Sequence, residues 1–298
     1  MTSLQQQETL NYFRRAAAQW RQKAEGSIPM KVNVIKQRND YVLKVAGNKT
    51  HLEHSLDVGC GTGQLVCELA KTGIKAVGVD FADEMIDICK QKIEAEGLTG
   101  AEFVHASIFD YTPDGIKFDL ISANGFIECI SEGQLLKFIN HVKSLLAPAG
   151  SLVLGSRNRL FNAFSLNEYT QIELSKGVFQ KLIAEALIFT GAGSLQEAIE
   201  ELLWANDSLP PIDCHPSTNI EITTRCQYTP GQLVRLLRIA GFETVGLLPV
   251  HYHEAPPRFA REHPETHVEI SNMIQRYAHD CHYLMPYASS FMLHAVRI

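Results

Sequence analysis

A short glycine-rich stretch carries the clearest chemical signal in this sequence. The letters LDVGCGTG place Gly59, Gly61 and Gly63 directly after an apolar segment that contains Asp57. A glycine turn between a strand and a helix lets a ligand approach the backbone, and parallel sheets bind ligands where their strands end. Asp80 ends the next apolar segment, where a carboxylate can accept hydrogen bonds from both hydroxyls of a ribose. The pattern predicts a nucleoside-containing ligand at this turn.

Two classes of ligand fit this arrangement, and the spacing of the glycines separates them. A dinucleotide site has the spacing G-x-G-x-x-G, and its third glycine would fall at Gln64 here. Asp57 would also repel a pyrophosphate, whereas it suits a ligand that carries an ammonium group and a sulfonium. The remaining alternative is a tight turn that binds no ligand. The two acidic residues beside the glycines favour the cationic ligand.

The elements around the turn alternate between apolar strands and amphipathic helices from about residue 52 to 155, which is typical of parallel βαβ units. The pattern resumes at Tyr228, where Thr229 is expected to cap a helix that Pro230 begins. Strands are predicted at 55–58, 76–79, 102–105, 118–123, 151–154, 244–250 and 290–296. We therefore expect an α/β fold with a doubly wound, seven-stranded, mostly parallel sheet.

Two segments outside this alternation suggest how the chain is divided. Residues 1–50 predict helices before the first strand, and residues 156–222 predict a helical insertion after the fifth. We expect an N-terminal helical cap over 1–50 and a core built from 51–155 and 223–298. The insertion would serve as a lid, a substrate segment or the surface of a homodimer.

The composition limits the classes of partner. The chain has 298 residues, a net charge of −6 and no run of Lys and Arg, so nucleic acid and anionic membranes are not expected partners. No apolar run is long enough to span a bilayer, and the N-terminal letters lack the apolar core of a signal peptide. Seven cysteines without a C-x-x-C pair indicate reduced thiols. We expect a cytoplasmic protein.

Several stretches together resemble a known family. LDVGCGTG and VGVDFADEM (77–85) are similar to the cofactor half of the class I S-adenosylmethionine-dependent methyltransferases. The resemblance continues through FDLISANGFIECI, LLAPAGSLVL and YTPGQLVRLLRIAGFETV. It implies a Rossmann-like sheet in which the seventh strand is antiparallel and lies between the fifth and the sixth. It also implies S-adenosylmethionine as the cofactor.

The resemblance implies which residues bind that cofactor. Asp57 would approach the amino group, and Asp80 would hold the ribose hydroxyls. Ser107 stands where many members have an aspartate against the adenine amino group, and its hydroxyl can still accept a hydrogen bond. The other predicted residues are Gly59, Cys60, Gly61 and Gly63 at the methionine and ribose part, Phe81, Met85 and Ile108 at the adenine, and Asn124 and Phe126 after the fourth strand.

Three residues before the first strand have two interpretations each. Arg38 could pair with the cofactor carboxylate, as an arginine does in similar proteins, or it could be a solvated helix residue. Tyr12 and Trp20 could close over the cofactor as part of a lid, or they could only pack within the protein, as aromatic residues at helical spacing commonly do.

The stretch SRNRLFNAFSLNEYT follows the fifth strand and combines arginines with amides. Guanidinium groups match carboxylates and phosphates with two parallel hydrogen bonds. We therefore expect an anion clamp for the acceptor, formed by Arg157, Asn158, Arg159 and Asn162. The alternative is an insertion hinge with exposed arginines.

Four residues could serve as a general base. His215, His251 and His253 belong to a histidine-rich C-terminal part, and Glu128 follows the fourth strand. Each of them could instead be a surface or rim residue without a chemical role. The clusters HYH and HDCH lack three or four ligands at zinc spacing, so no metal is expected.

The sequence as a whole predicts methyl transfer to a small-molecule acceptor at oxygen, either a hydroxyl or a carboxylate. The methyl group would move by in-line displacement, which mainly requires that acceptor and donor are aligned and water is excluded. A nucleic-acid methyltransferase is one alternative, although ANGF stands where an Asn/Asp-Pro-Pro-Tyr/Phe motif would be expected. The other alternative is a non-catalytic module that binds the cofactor and regulates a partner.

Overall fold

The computed structural model describes residues 4–26, 28, 30–205 and 226–298. Its strands are β1 (His54–Val58), β2 (Lys75–Asp80), β3 (Ala101–His105), β4 (Phe118–Asn124), β5 (Leu146–Arg157), β6 (Phe242–Tyr252) and β7 (Ala288–Arg297). Its α-helices are α1 (Leu4–Ala24), α2 (Val34–Gly47), α3 (Gln64–Lys71), α4 (Asp83–Glu96), α5 (Glu132–Leu145), α6 (Phe161–Phe164), α7 (Glu168–Ser175), α8 (Phe179–Gly191), α9 (Leu195–Trp204), α10 (Pro230–Ile239), α11 (Pro257–Glu262) and α12 (Pro264–Gln275). Short 3-10 helices lie at Ile127–Cys129, Ala278–Asp280 and His282–Tyr287.

The seven strands form one sheet in the order β3-β2-β1-β4-β5-β7-β6. Strands β1 to β5 pair in parallel, and β7 runs antiparallel between β5 and β6. This confirms the predicted seven-stranded, mostly parallel sheet and the place of its last strand. The chain leaves β1 toward one edge and β4 toward the other, so the crevice beyond their carboxyl ends is the expected ligand site.

The sheet is buried on both faces. For this reason, most of its strands appear in the sequence as continuous runs of apolar residues. Side chains alternate between the two faces of a strand. In β5, Leu152 and Leu154 belong to the apolar cluster that includes α5 and α10, whereas Val153 belongs to the cluster that includes α2 and α3.

The predicted helix starts are mostly confirmed. Ser131 and Thr229 each accept a hydrogen bond from the backbone three residues on and form complete capping boxes. Asp83 precedes an apolar helical pattern and is of a residue type that favours the N-cap, but it is instead the first residue of α4, and Ala82 is the N-cap. The carboxylate of Asp83 instead accepts a hydrogen bond from Arg14 of α1 at 2.7 Å. The Asp83 side chain therefore contacts a residue of a distant helix and does not cap its own helix.

Two strands are longer than their apolar runs predicted. β5 extends to Arg157 and β6 to Tyr252, beyond the predicted ends at 154 and 250. Both strands pair with β7, and the β5 pairing continues to Arg157 opposite Ser290. Hydrogen bonding to a neighbouring strand therefore sets their length.

Helices α6 to α9 occupy the described part of the predicted insertion. Leu182, Phe189 and Ile199 join the same apolar cluster as the central strands. Residues 158–205 line neither of the two cavities described below. The role of this segment as a lid, a substrate segment or a dimer surface therefore stays a prediction, as does the division of the chain into cap, core and insertion. None of the helices in the described ranges is both long and apolar enough to cross a bilayer.

Candidate active site

The glycine-rich turn joins β1 to α3 with its backbone in the left-handed region. The φ angles are +66° at Gly59, +52° at Gly61 and +75° at Gly63, a conformation that side chains disfavour. A Cβ at Gly63 would lie 2.6 Å from Phe103, whereas one at Gly61 would meet no heavy atom within 4 Å. Gly63 is thus needed for packing of the turn, while Gly61 leaves open space beside its backbone.

Asp80 ends β2 beside this turn, and its carboxylate is fixed by two backbone groups. One oxygen accepts a hydrogen bond from the N–H of Gly61 at 2.9 Å, and the other accepts one from Ala82 at 2.9 Å. Burial raises the pKa of Asp80 to about 6. The turn and the acidic residue therefore form one rigid unit.

Asp57 lies near the end of β1 and accepts a hydrogen bond from the Ser122 hydroxyl at 2.7 Å. Burial, together with the nearby Asp80 carboxylate, raises the pKa of Asp57 to about 7. Two buried carboxyl groups at one end of a crevice favour a cationic ligand, because a positive charge would stabilise their ionised forms.

A cavity of about 200 Å³ opens at this position, beyond the ends of the strands. The predicted cofactor residues that line it are Trp20, Arg38, Asp57, Gly59, Cys60, Gly61, Asp80, Phe81, Met85, Ser107, Ile108, Asn124 and Phe126. Gly63 and Tyr12 do not line it. Gly63 faces Phe103, and the Tyr12 ring packs edge-on against Phe13 at 5.2 Å between centroids. The contacts of each lining residue with the cofactor stay predictions.

Helix α1 forms a wall that the sequence analysis identified only in part. Its lining residues are Gln6, Thr9, Phe13, Trp20 and Ala24. These positions recur at spacings of three, four and seven, so they share one face of the helix. Helical periodicity could therefore have found the residues that were missed. The Arg14–Asp83 hydrogen bond attaches this helix to α4.

A second cavity of about 260 Å³ adjoins the first. The two cavities share Trp20, Ile35 and Arg38. The lining of the second cavity includes the polar residues Arg157, His251, Ser289 and Ser290. The Arg38 guanidinium donates to the Ser290 hydroxyl and to the Glu128 carboxylate, so it is held at the boundary between the cavities.

The surroundings of Glu128 do not favour the predicted role of a general base. Glu128 is fully buried and lines neither cavity. Its carboxylate lies 3.1 Å from Nη2 of Arg38, so it is ion-paired, whereas a general base must reach the acceptor. The ion pair between Glu128 and Arg38 indicates that Glu128 positions the Arg38 side chain.

The three histidine candidates have different surroundings. His251 lines the second cavity, and its Nδ1 lies 2.9 Å from the Ser289 hydroxyl. Burial and the neighbouring histidines hold the pKa of His251 well below its usual value, so the ring is neutral as a base must be. His253 is buried against Phe161 and lines neither cavity. His215 lies outside the described residues.

The predicted anion clamp does not form as a set. Arg159 is buried and donates to both carboxylate oxygens of Glu173, at 3.0 and 2.8 Å. Asn162 donates to the same carboxylate at 2.8 Å, and Asn158 donates to two backbone carbonyl oxygens. Because a buried guanidinium needs an anionic partner, Glu173 occupies Arg159 and leaves it unable to hold an acceptor. Of the four predicted residues, Arg157 lines the second cavity.

The first cavity fits the cofactor that the sequence resemblance implied. Thr9 Oγ1, Trp20 Nε1 and Asn124 Oδ1 line it as buried polar atoms without a hydrogen-bond partner among the described residues. A ligand with hydroxyl, amino and carboxylate groups would supply such partners. The open backbone at Gly61 and the paired acids Asp57 and Asp80 match a ribose next to a cationic centre.

Comparison with known proteins agrees with this site. A family model described as a methyltransferase domain matches residues 56–150, which include the glycine-rich turn and Asp80. A ubiquinone biosynthesis O-methyltransferase from Actinobacillus pleuropneumoniae is 31% identical over 197 residues, which cover 62% of this chain and 82% of that protein. A protein of the same name from Coxiella burnetii is 34% identical over 112 residues, which cover 38% of this chain and 47% of that protein.

A solved structure supports the fold over nearly the whole chain. The magnesium protoporphyrin IX methyltransferase of Synechocystis PCC 6803, with bound SAH, has a TM-score of 0.55 and 16% identity, and the match covers 97% of this chain and 98% of that one. Because a methyltransferase is related in sequence over most of its length, and the seven-stranded sheet has the expected order, family membership follows. The chain belongs to the class I S-adenosylmethionine-dependent methyltransferases, and S-adenosylmethionine is its cofactor.

Proposed function

We propose that this enzyme transfers a methyl group to an oxygen atom of a small molecule that binds in the second cavity. The observation that carries the proposal is the shared wall of the two cavities, formed by Trp20, Ile35 and Arg38. The first cavity fits the methyl donor, and the second presents Arg157 and His251 beside it. Group transfer requires such adjoining sites, because donor and acceptor must meet in line.

S-adenosylmethionine supplies an activated methyl group, since the sulfur that it leaves becomes neutral. The chain itself must therefore mainly align the acceptor and exclude water. Helix α1 covers the first cavity with Phe13 and Trp20, and the Arg38–Glu128 pair holds the boundary. These apolar and ion-paired walls suit both tasks.

The two cavity groups suit two kinds of oxygen acceptor. A carboxylate needs no base, and Arg157 would hold it through charge-assisted hydrogen bonds. A hydroxyl must lose its proton, and neutral His251 would accept that proton directly or through the Ser289 hydroxyl, which lies 2.9 Å from its Nδ1. In both cases Arg157 and His251 contact the acceptor, and Asn158, Arg159 and Asn162 do not.

Two related proteins support oxygen as the methylated atom, because the relatives from Actinobacillus pleuropneumoniae and Coxiella burnetii are named O-methyltransferases. A cavity of about 260 Å³ supports a small acceptor. The net charge of −6 gives no general attraction to nucleic acid.

The proposal is tested by measuring the demethylated cofactor product with a panel of small phenols, carboxylic acids and amines. We expect turnover with an oxygen acceptor, and loss of turnover with Asp80→Ala because its ribose contacts are removed. Asp87→Ala is the matched control, since Asp87 lies on an exposed face of α4. Turnover confined to amines would refute the oxygen assignment. Salt-dependent binding and methylation of RNA or DNA would refute the small-molecule assignment.

A further inference from the structure

Three histidine side chains meet behind the wall of the second cavity. His251 lies at the end of β6, His253 follows that strand, and His267 is on α12. One ring nitrogen from each lies within 4.8 Å of the others. The stretch HYH by itself lacks a third ligand at zinc spacing, and α12 brings that third histidine from elsewhere in the chain.

The spacing of the two closest nitrogens matches shared coordination. Nε2 of His251 and Nε2 of His267 are 3.2 Å apart, close enough for a hydrogen bond between the two rings. Two imidazole nitrogens bound to one tetrahedral zinc ion, each at about 2.0–2.1 Å, are separated by about 3.3 Å. A ring nitrogen of His253 lies within 4.8 Å of these two nitrogens, so the ring would have to move toward them to bind the same ion.

The opposite nitrogens of two of these rings are held by oxygen atoms. Nδ1 of His267 lies 3.0 Å from the Glu254 carboxylate, and Nδ1 of His251 lies 2.9 Å from the Ser289 hydroxyl. A carboxylate only accepts, so His267 donates from Nδ1, and Nε2 is the nitrogen of this ring that is left to bind an ion. Metal-binding histidines are generally oriented in this way by an outer carboxylate or hydroxyl.

Packing alone does not account for His253. Its side chain is only 8% exposed, and neither ring nitrogen has a hydrogen-bond partner among the described residues. The His253 ring packs against the Phe161 ring, with 4.7 Å between their centroids. This contact explains why His253 is buried, but not why its two ring nitrogens make no hydrogen bond with the described residues. A metal ion would satisfy one of these nitrogens.

The backbone conformation of His251 points in the same direction. His251 has a φ of +59° within a strand, and strained non-glycine residues of this kind concentrate at functional sites.

We infer that His251, His253 and His267 bind a divalent transition-metal ion such as Zn²⁺, with Glu254 and Ser289 orienting the ligands. Three protein nitrogens leave a fourth position, as in catalytic rather than structural zinc sites. Arg38 and Arg157 lie near His251 and oppose a bare cation there, so they favour an anionic fourth ligand.

The site has a consequence for the acceptor, and this consequence rests on the proposed function. Because His251 also lines the second cavity, an acceptor oxygen could occupy the fourth position. A bound metal ion would lower the pKa of such an oxygen, so an acceptor hydroxyl would release its proton to solvent water without a histidine base. His251 would then act as a ligand. Binding of the ion itself does not depend on any acceptor.

The test uses the full-length protein with any affinity tag removed and its metal extracted with a chelator. Zn²⁺ is titrated by calorimetry, and Co²⁺ is added as a visible-absorption probe of a tetrahedral site. We expect one ion per chain with micromolar or tighter affinity, and no comparable binding of Mg²⁺, which prefers oxygen ligands. His253→Phe keeps an aromatic ring against Phe161 and should weaken binding by at least about 100-fold, because it removes a ligand.

Two further variants make the result decisive. Glu254→Gln should weaken Zn²⁺ binding by about tenfold through the orientation of His267. His51→Ala, which removes an exposed histidine outside the cluster, should leave it unchanged. Equal Zn²⁺ binding by the wild-type protein and His253→Phe would overturn the metal site. Cofactor binding, measured on the same metal-free samples, separates that outcome from failure of the methyltransferase function.

Discussion

The Arg38 guanidinium donates a hydrogen bond to the Glu128 carboxylate across 3.1 Å at the boundary between the two cavities. Arg38 lines both cavities, whereas Glu128 is fully buried. Because removing one member of a buried ion pair leaves the other charge without its partner, this pair is costly to break. It therefore gives the wall between donor and acceptor a defined position.

Two glycines of the same turn should differ in what their substitution changes. Gly61→Ala should lower the free energy of unfolding by about 1–2 kcal/mol, the usual cost of a left-handed backbone, because its Cβ meets no neighbour. It should also abolish cofactor binding, because the side-chain methyl group of the new alanine would enter the first cavity, where the cofactor binds. Gly63→Ala should destabilise the fold more, because its Cβ would lie 2.6 Å from Phe103. Urea unfolding and calorimetry separate the two effects, and unchanged cofactor affinity in Gly61→Ala would contradict the site.

Two nearby arginines should also behave differently. Arg159→Ala should lower the free energy of unfolding by about 3–5 kcal/mol, because it leaves the buried Glu173 carboxylate without its guanidinium. Arg157→Ala should change stability much less and raise the KM for the acceptor, by about tenfold for a lost charge-assisted contact. Urea unfolding and steady-state kinetics measure both variants. A normal KM in Arg157→Ala would exclude the acceptor contact.

Helix α1 should report on cofactor binding through Trp20. The chain has two tryptophans, and Trp204 is 85% exposed, so Trp204→Phe leaves one fluorophore in the cavity wall. Its emission should change on titration with S-adenosylmethionine, because the indole is in contact with the ligand space. Trp20→Phe should remove this signal and weaken the affinity several-fold. Constant emission at saturating cofactor would place α1 away from the ligand.

Cofactor affinity should rise with pH through the titration of Asp57 and Asp80. Their pKa values are raised to about 7 and about 6, and a cationic ligand prefers the ionised carboxylates. At a pH below its pKa, each carboxyl group must release a proton when the cofactor binds. For each such group, the affinity falls by up to about tenfold per pH unit. Calorimetry between pH 5.5 and 7.5 (about two units) should show this slope. Asp57→Asn should reduce it, and an identical slope in that variant would refute the assignment.

In the ligand-free protein, Asp57 should make the free energy of unfolding fall as the pH rises. This trend is opposite to the trend in cofactor affinity. The folded-state pKa of Asp57 is raised above its ordinary value of 3.8, so the folded protein binds more protons than the unfolded chain. The contribution of Asp57 to the free energy of unfolding is therefore present at low pH and is lost as the pH rises to about 7. Comparison of wild type with Asp57→Asn by urea unfolding at pH 5 to 7 (roughly the titration range) isolates this contribution.

Local patterns in the sequence were enough for the cofactor half of the molecule. The strand–glycine–helix order, the caps at Ser131 and Thr229, and the acids Asp57 and Asp80 depend on residues close together in the chain. Short-range rules of backbone conformation and apolar periodicity describe such features well. The order of the strands followed from the family resemblance, and the structure has that order.

Only the tertiary structure decided which of several chemically equivalent residues face the ligands. Arg157 and Arg159 are two positions apart, yet one lines a cavity and the other is buried against Glu173. His267 joins His251 and His253 because α12 packs against the end of β6, which no spacing in the sequence reveals. A side chain's partner from a distant segment depends on how the whole chain closes. The glycine turn and its acids were therefore determined by the sequence alone, and the acceptor cavity and the histidine cluster by the packing of distant segments.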